Sequence, residues 1–262
     1  MYSWSPSLAA AWRRLLEWVA ASARVPMSAT EEAGSPSLEE LWGRDDLACA
    51  FMCGYPWALR DTRPQLLAAP VPSPPRYGGQ PIYYSDFVVR ADSRHQKLED
   101  TFWGILAYST ERSHSGYNAP RYHLLRYRTV ERPTLYGRVL GPYGRQRPVL
   151  ETVIHGEADV AAIDSYALDL LRRHDPELAS RVRVIASTEP APSPPLVASP
   201  QMDPPRRDHL IEALVNAHRS PEISGTLEAL LLVRFVRVEE PDFQVFLDRE
   251  RAAKEADYPR LS

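Results

Sequence analysis

Leu8, Trp12, Leu15, Leu16 and Val19 recur at the three- and four-residue spacing of one helical face. Ser5-Pro6 ahead of them supplies an N-cap and an N1 proline, so the first predicted element is an amphipathic helix. Ser37 with Glu40 reads as a capping box for a short second helix carrying Leu41 and Trp42, and Leu47 to Cys53 as a continuous apolar strand. Further strands are expected at Ile82 to Val89, Ile105 to Tyr108, Val160 to Ile163, Val182 to Ile185 and Leu230 to Val238. Helices are expected near Ser113 to Gly116 running through Leu125, then at Pro148 to His155, Ser165 to His174, Asp208 to His218 and Asp242 to Ala256. Gly156 is placed to end the second of these in a left-handed residue, and Arg172, Arg173 and His174 suit the negative end of the third. Helix and strand in alternation predict an α/β fold with a parallel sheet.

Proline divides this pattern. The chain holds 25 prolines in 262 residues, close to twice the roughly 5% of average usage. Six fall within residues 62–81 and seven within 189–205, two stretches that read as connectors, too broken for a helix or a central strand. They bracket a central β/α unit, the expectation for a two-lobed chain that crosses between lobes twice. The predicted lobes are residues 1–83 with 188–262, and residues 84–187.

Charge and composition narrow the function. With 31 basic against 34 acidic residues and a net charge of -3, no global field is available to hold a nucleic acid. The Leu47–Cys53 run is far short of the roughly 18 apolar residues that cross a bilayer. Arg13, Arg14 and Glu17 interrupt the only candidate apolar region near the N-terminus, so no export signal is expected in the sequence as it stands. Cys49 and Cys53 lie four apart in an apolar run, which excludes a disulfide scaffold. No metal or cofactor is expected: the phosphate-binding, dinucleotide and zinc-protease motifs are absent, and His155-Gly156-Glu157 is not followed by the paired cysteines a zinc deaminase needs.

The segment Tyr108-Ser109-Thr110-Glu111-Arg112-Ser113-His114-Ser115-Gly116-Tyr117 leaves a strand and enters a helix with several hydroxyls and an imidazole. Unpaired backbone N–H groups and serine hydroxyls there can meet an oxyanion, or can simply cap the helix.

Ser113-His114-Ser115-Gly116-Tyr117 with Pro120 resembles the Ser-x-Ser-Gly-Tyr segment of solute-binding proteins of phosphate/phosphite/phosphonate ABC transporters. Gly54-Tyr55-Pro56, Tyr84-Ser85 with Val88-Val89-Arg90, and Gly156 to Ser165 (Gly-Glu-Ala-Asp-Val-Ala-Ala-Ile-Asp-Ser) match the same family in order. Together they cover about residues 45 to 200. Met1-Tyr2 resembles the end of the family's first strand, which implies further residues, and any signal sequence, upstream.

The resemblance implies a type II periplasmic-binding-protein fold whose two lobes close over one small anionic or zwitterionic ligand. It implies that Ser113, His114 and Ser115 hold the oxyanion, that Tyr55 and Tyr84 wall the cleft, and that Asp164 meets a cationic group. The family's histidine of a Gly-Ser-His or Gly-Gly-His stretch falls on Gln146, which donates a hydrogen bond but carries no charge; Arg145 or Arg147 are the neighbouring cations. It further implies a periplasmic monomer that docks on an ABC permease and has no catalytic function. Two alternatives stand beside it: a cytoplasmic small-molecule sensor, and a hydrolase built on Ser113 or Ser115 with His114 and Asp164.

Overall fold

The computed structural model describes residues 2–28 and 38–262. Ser37 of the expected capping box lies outside the described residues, whereas the short helix is present at Leu38–Trp42. Two compact units form, one from Met1–Ile82 with Pro192–Phe243 and one from Tyr83–Ala191 with Gln244–Ser262. The chain thus passes between units three times rather than twice. The terminal segment, expected with the first lobe, joins the second unit because its helix Gln244–Glu255 packs on the helix Ala119–Leu124 and the turn ahead of it.

In the first unit, Ser5 Oγ accepts from the amide of Leu8 and opens the helix Pro6–Ala23, which buries Leu8, Trp12, Leu15 and Val19 as the periodicity predicts. That face packs on the helices Pro204–Asn216 and Ser224–Ala229. The sheet follows the order Ala50–Phe51, Leu196–Ala198, Gln65–Pro72, Leu232–Val236, antiparallel at every pairing.

Three expectations fail here. Both proline-rich stretches contribute strands, and the apolar run 47–53 contributes only Ala50–Phe51 before Gly54–Ala58 turns helical. Gln65–Pro72 tolerates its prolines because each half has one neighbour. Residues 65–68 pair with Leu196–Ala198, and Pro70 and Pro72 lie beyond that strand, paired only with Leu232–Val236. Two residues apart, their nitrogens face one edge, the position in which a missing N–H breaks no ladder bond.

The second unit's sheet runs Arg138–Leu140, Ile105–Ala107, Val160–Asp164, Ser85–Arg90, Val182–Ser187. The first three strands are parallel; Ser85–Arg90 is antiparallel to both neighbours, so the all-parallel expectation fails too. Phe87, Val88 and Val89 are fully buried, as a strand covered on both faces requires.

This topology places the candidate residues. The parallel strands end at one edge, and from there the chain runs on from Ile105–Ala107 to Ser113, from Arg138–Leu140 to Gln146 and from Val160–Asp164 to Ser165. Ser85, the first residue of the antiparallel strand, is in register with Asp164, the last of its neighbour, which brings Tyr84 to that edge as well.

Candidate functional site

The segment expected to begin a regular helix instead makes one wide turn, His114–Asn118, before the helix Ala119–Leu124. The amide of Asn118 donates to the Ser113 carbonyl at 3.0 Å, five residues back, the register of a π-bulge. Ser113 Oγ caps the turn by accepting from the amide of Gly116 at 2.9 Å. Gly116 has to be glycine: a Cβ there would run into Ser109 Oγ and lie 3.1 Å from Ser113 Oγ. Ser109, only 3% exposed, keeps its hydroxyl without a hydrogen-bond partner among the described residues.

Ser115 is buried, and Gln146 Nε2 donates to its Oγ at 2.8 Å. The other end of the same amide, Oε1, accepts from the backbone N–H of Asp164 at 3.1 Å. Gln146 therefore ties the turn to the end of the strand Val160–Asp164. Asp164 is 1% exposed and its Oδ1 caps the following helix through the amide of Ala167 at 3.0 Å. Tyr84 is half-buried and held at its backbone: its N–H donates to Ser165 Oγ at 2.9 Å and its carbonyl accepts from the Ser165 amide at 3.0 Å.

His114 is fully buried. Its Nδ1 lies 3.2 Å from Asn118 Nδ2 and its Nε2 lies 3.1 Å from an Arg249 guanidinium nitrogen. Arg121 donates to Asn118 Oδ1 while Asn118 Nδ2 donates to the Phe246 carbonyl, which fixes that amide with its nitrogen toward the ring. Burial first, and then the Arg249 cation, hold the imidazole well below its usual pKa, so it stays neutral. His114 thus supports the turn from inside.

The structure gathers Tyr84, Ser113, His114, Ser115, Gln146 and Asp164 in the second unit and places Tyr55 in the first, buried on the five-residue helix Gly54–Ala58. Arg145 and Arg147 are exposed, Arg147 paired with Glu151 at 3.0 Å. Sequence reasoning missed Ser165, the hydroxyls of Ser85 and Ser109, which have no hydrogen-bond partner among the described residues, and Arg249. The bare Gly116 was the one local signal pointing to Ser109.

Among solved structures, the chain is similar to a binding protein component of an ABC phosphonate transporter from Pseudomonas aeruginosa: 19% identity over 97% of this chain and 84% of that one, TM-score 0.79. It is also similar to PhnD1 from Prochlorococcus marinus in complex with methylphosphonate (13% identity, 96% of this chain, 95% of that one, TM-score 0.73). A Xanthomonas citri protein bound to ATP matches at 20% identity over 96% and 95% of the two chains, TM-score 0.62. These likenesses establish the fold, that of type II periplasmic binding proteins. A search of curated protein sequences finds no match. The family model described as "ABC transporter, phosphonate, periplasmic substrate-binding protein" matches residues 3–243, and the chain therefore belongs to the family of phosphonate ABC transporter substrate-binding proteins.

Proposed function

We propose that this member of the family binds one small anion of the phosphonate or phosphate class at the turn Ser113–Asn118. Ser113, Ser115 and Gln146 stand as its polar contacts, with Tyr55 and Tyr84 as aromatic ones. The observation that carries the reading is the buried Ser109 hydroxyl beside Gly116: a donor without a partner among the described residues, close to this turn, is a place where a ligand oxygen makes up a missing hydrogen bond. Gln146 fits the same role, since a neutral amide with two N–H groups can serve Ser115 and an oxyanion together. Asp164 leaves room for a zwitterion whose ammonium would lie near its carboxylate. His114 acts here as a support for the turn rather than as a ligand contact, and its imidazole is no base for a serine hydrolase.

Melting curves and titration calorimetry with methylphosphonate, an aminoalkylphosphonate, phosphate, phosphite and a set of carboxylates test the proposal. A bound ligand at 100 times its dissociation constant adds about 2.7 kcal/mol of stability. A panel that leaves the melting temperature unmoved would reject it. The family expectation that binding shifts the chain toward a closed population is checked by its radius of gyration with and without ligand; an unchanged value under saturation removes closure from the proposal. Delivery to an ABC-type permease from the periplasm, by a monomer, completes the reading, with co-purification and sedimentation as its checks.

A further inference from the structure

Two guanidinium groups lie directly behind the turn. Arg249, on the helix Gln244–Glu255, is 6% exposed and Arg121, on Ala119–Leu124, is 3% exposed. Arg249 meets His114 Nε2 and donates to the Pro190 carbonyl at 2.6 Å; Arg121 donates to the Pro259 carbonyl at 2.6 Å and to Asn118 Oδ1 at 3.2 Å. Neither forms an ion pair among the described residues, and Arg121 Nε has no partner there at all. Around them stand His114, the phenols of Tyr83 and Tyr122, His123, Arg126 and Glu189. Glu189 is engaged by Arg126 and by His123 at 3.3 Å. His123 is held neutral, its pKa lowered to about 4, chiefly by burial. Glu189 is thus paired with Arg126, and the guanidinium groups of Arg121 and Arg249 have no carboxylate partner among the described residues, leaving a positive excess beneath the turn.

An unpaired cation inside a protein is expensive, and removing its counter-charge commonly destabilises. It is offset when a ligand supplies the anion. Gln146, at the family's histidine position, brings no charge, so the cation behind the turn has that role to itself. We propose that Arg249, acting through His114, is the positioning charge that makes the turn Ser113–Asn118 prefer a doubly ionised anion to a singly ionised one. The inference rests on the reading of that turn as the anion site.

The test compares methylphosphonate, at a pH where it is doubly ionised, with its monomethyl ester, which carries a single charge. Calorimetry on the wild type should give the dianion about tenfold or greater preference. Arg249→Gln should narrow that preference to within about twofold, the dianion losing about the square of the factor that the singly charged ester loses because Coulomb energy scales with ligand charge, and Arg249→Lys should restore most of it. In the wild type the preference should also persist between about 50 and about 500 mM salt, because buried charges are weakly screened; this comparison stands even where Arg249→Gln does not fold. A preference that salt abolishes, a wild type that binds both ligands equally, or a Gln variant that weakens both by the same factor would overturn the role of Arg249 and leave the anion site intact. A wild type that binds neither ligand would remove the site itself.

Discussion

Gln146 Nε2 donates to Ser115 Oγ at 2.8 Å while Gln146 Oε1 accepts from the Asp164 amide at 3.1 Å, so one side chain couples two segments that are 31 and 18 residues away in sequence. Removing it should be felt in both binding and stability. Gln146→Ala should lower stability by about 1–2 kcal/mol in urea denaturation and weaken methylphosphonate binding about tenfold or more. Gln146→Glu should weaken binding further, by placing a carboxylate beside Ser115 in front of an anion. Unchanged affinity in both variants would take Gln146 out of the site.

The contact between Gly116 and Ser109 gives a second prediction. Gly116→Ala should destabilise the protein by about 1–3 kcal/mol, because the added methyl meets Ser109 Oγ at a buried position. Adding Ser109→Gly should recover much of that loss, a coupling that a double-mutant cycle measures. The single variant Ser109→Ala should fold normally and bind the anion more weakly, since the hydroxyl it removes has no partner among the described residues to miss it.

Stability should fall in mild acid through the buried histidines. His123 titrates near pH 4 in the folded chain against about 6.5 unfolded, lowered by burial first and then by Arg126 and Arg249; His114 is shifted the same way. A depressed histidine pKa means that the unfolded chain binds the proton more readily. Stability is therefore full above about pH 6.5 and is lost as pH falls from there toward the folded value, by about 2–3 kcal/mol for His123 alone. Urea midpoints at pH 7.5 and pH 4.5 measure it. His123→Phe, packed beside Phe87 whose ring lies 5.5 Å from the imidazole, should flatten that dependence. A slope identical to wild type would contradict the assignment.

In the first unit, Trp57 Nε1 donates to the Pro64 carbonyl at 2.8 Å and its ring lies 5.1 Å from Phe243, with the Arg63 guanidinium 4.9 Å above it. Trp57→Phe should lower stability by about 1–2 kcal/mol and Trp57→Ala by about 3–5 kcal/mol.

Local patterns were legible where neighbours in sequence make the structure. The helix Ser165–His174 has the predicted ends, because Asp164 caps Ala167 and the apolar residues recur at helical spacing. Gly156 takes the left-handed φ of +75° foreseen for the residue after a helix. Ser113 caps as a serine ahead of a turn should.

What the sequence by itself determined, then, is the family, the α/β alternation and the helix ends, all of which depend on residues a few positions apart. Tertiary structure alone decided the rest. Whether Gln65–Pro72 pairs as a strand despite its prolines depends on where Leu196–Ala198 stops. The direction of Ser85–Arg90 and the unit to which Gln244–Ser262 belongs depend on distant partners in the same way. The family resemblance makes His114 a ligand contact, whereas its burial and its approach to Arg249, 135 residues along the chain, are set by packing alone. Burial is a property of the packed chain, and no local spacing encodes which face of a short turn looks inward.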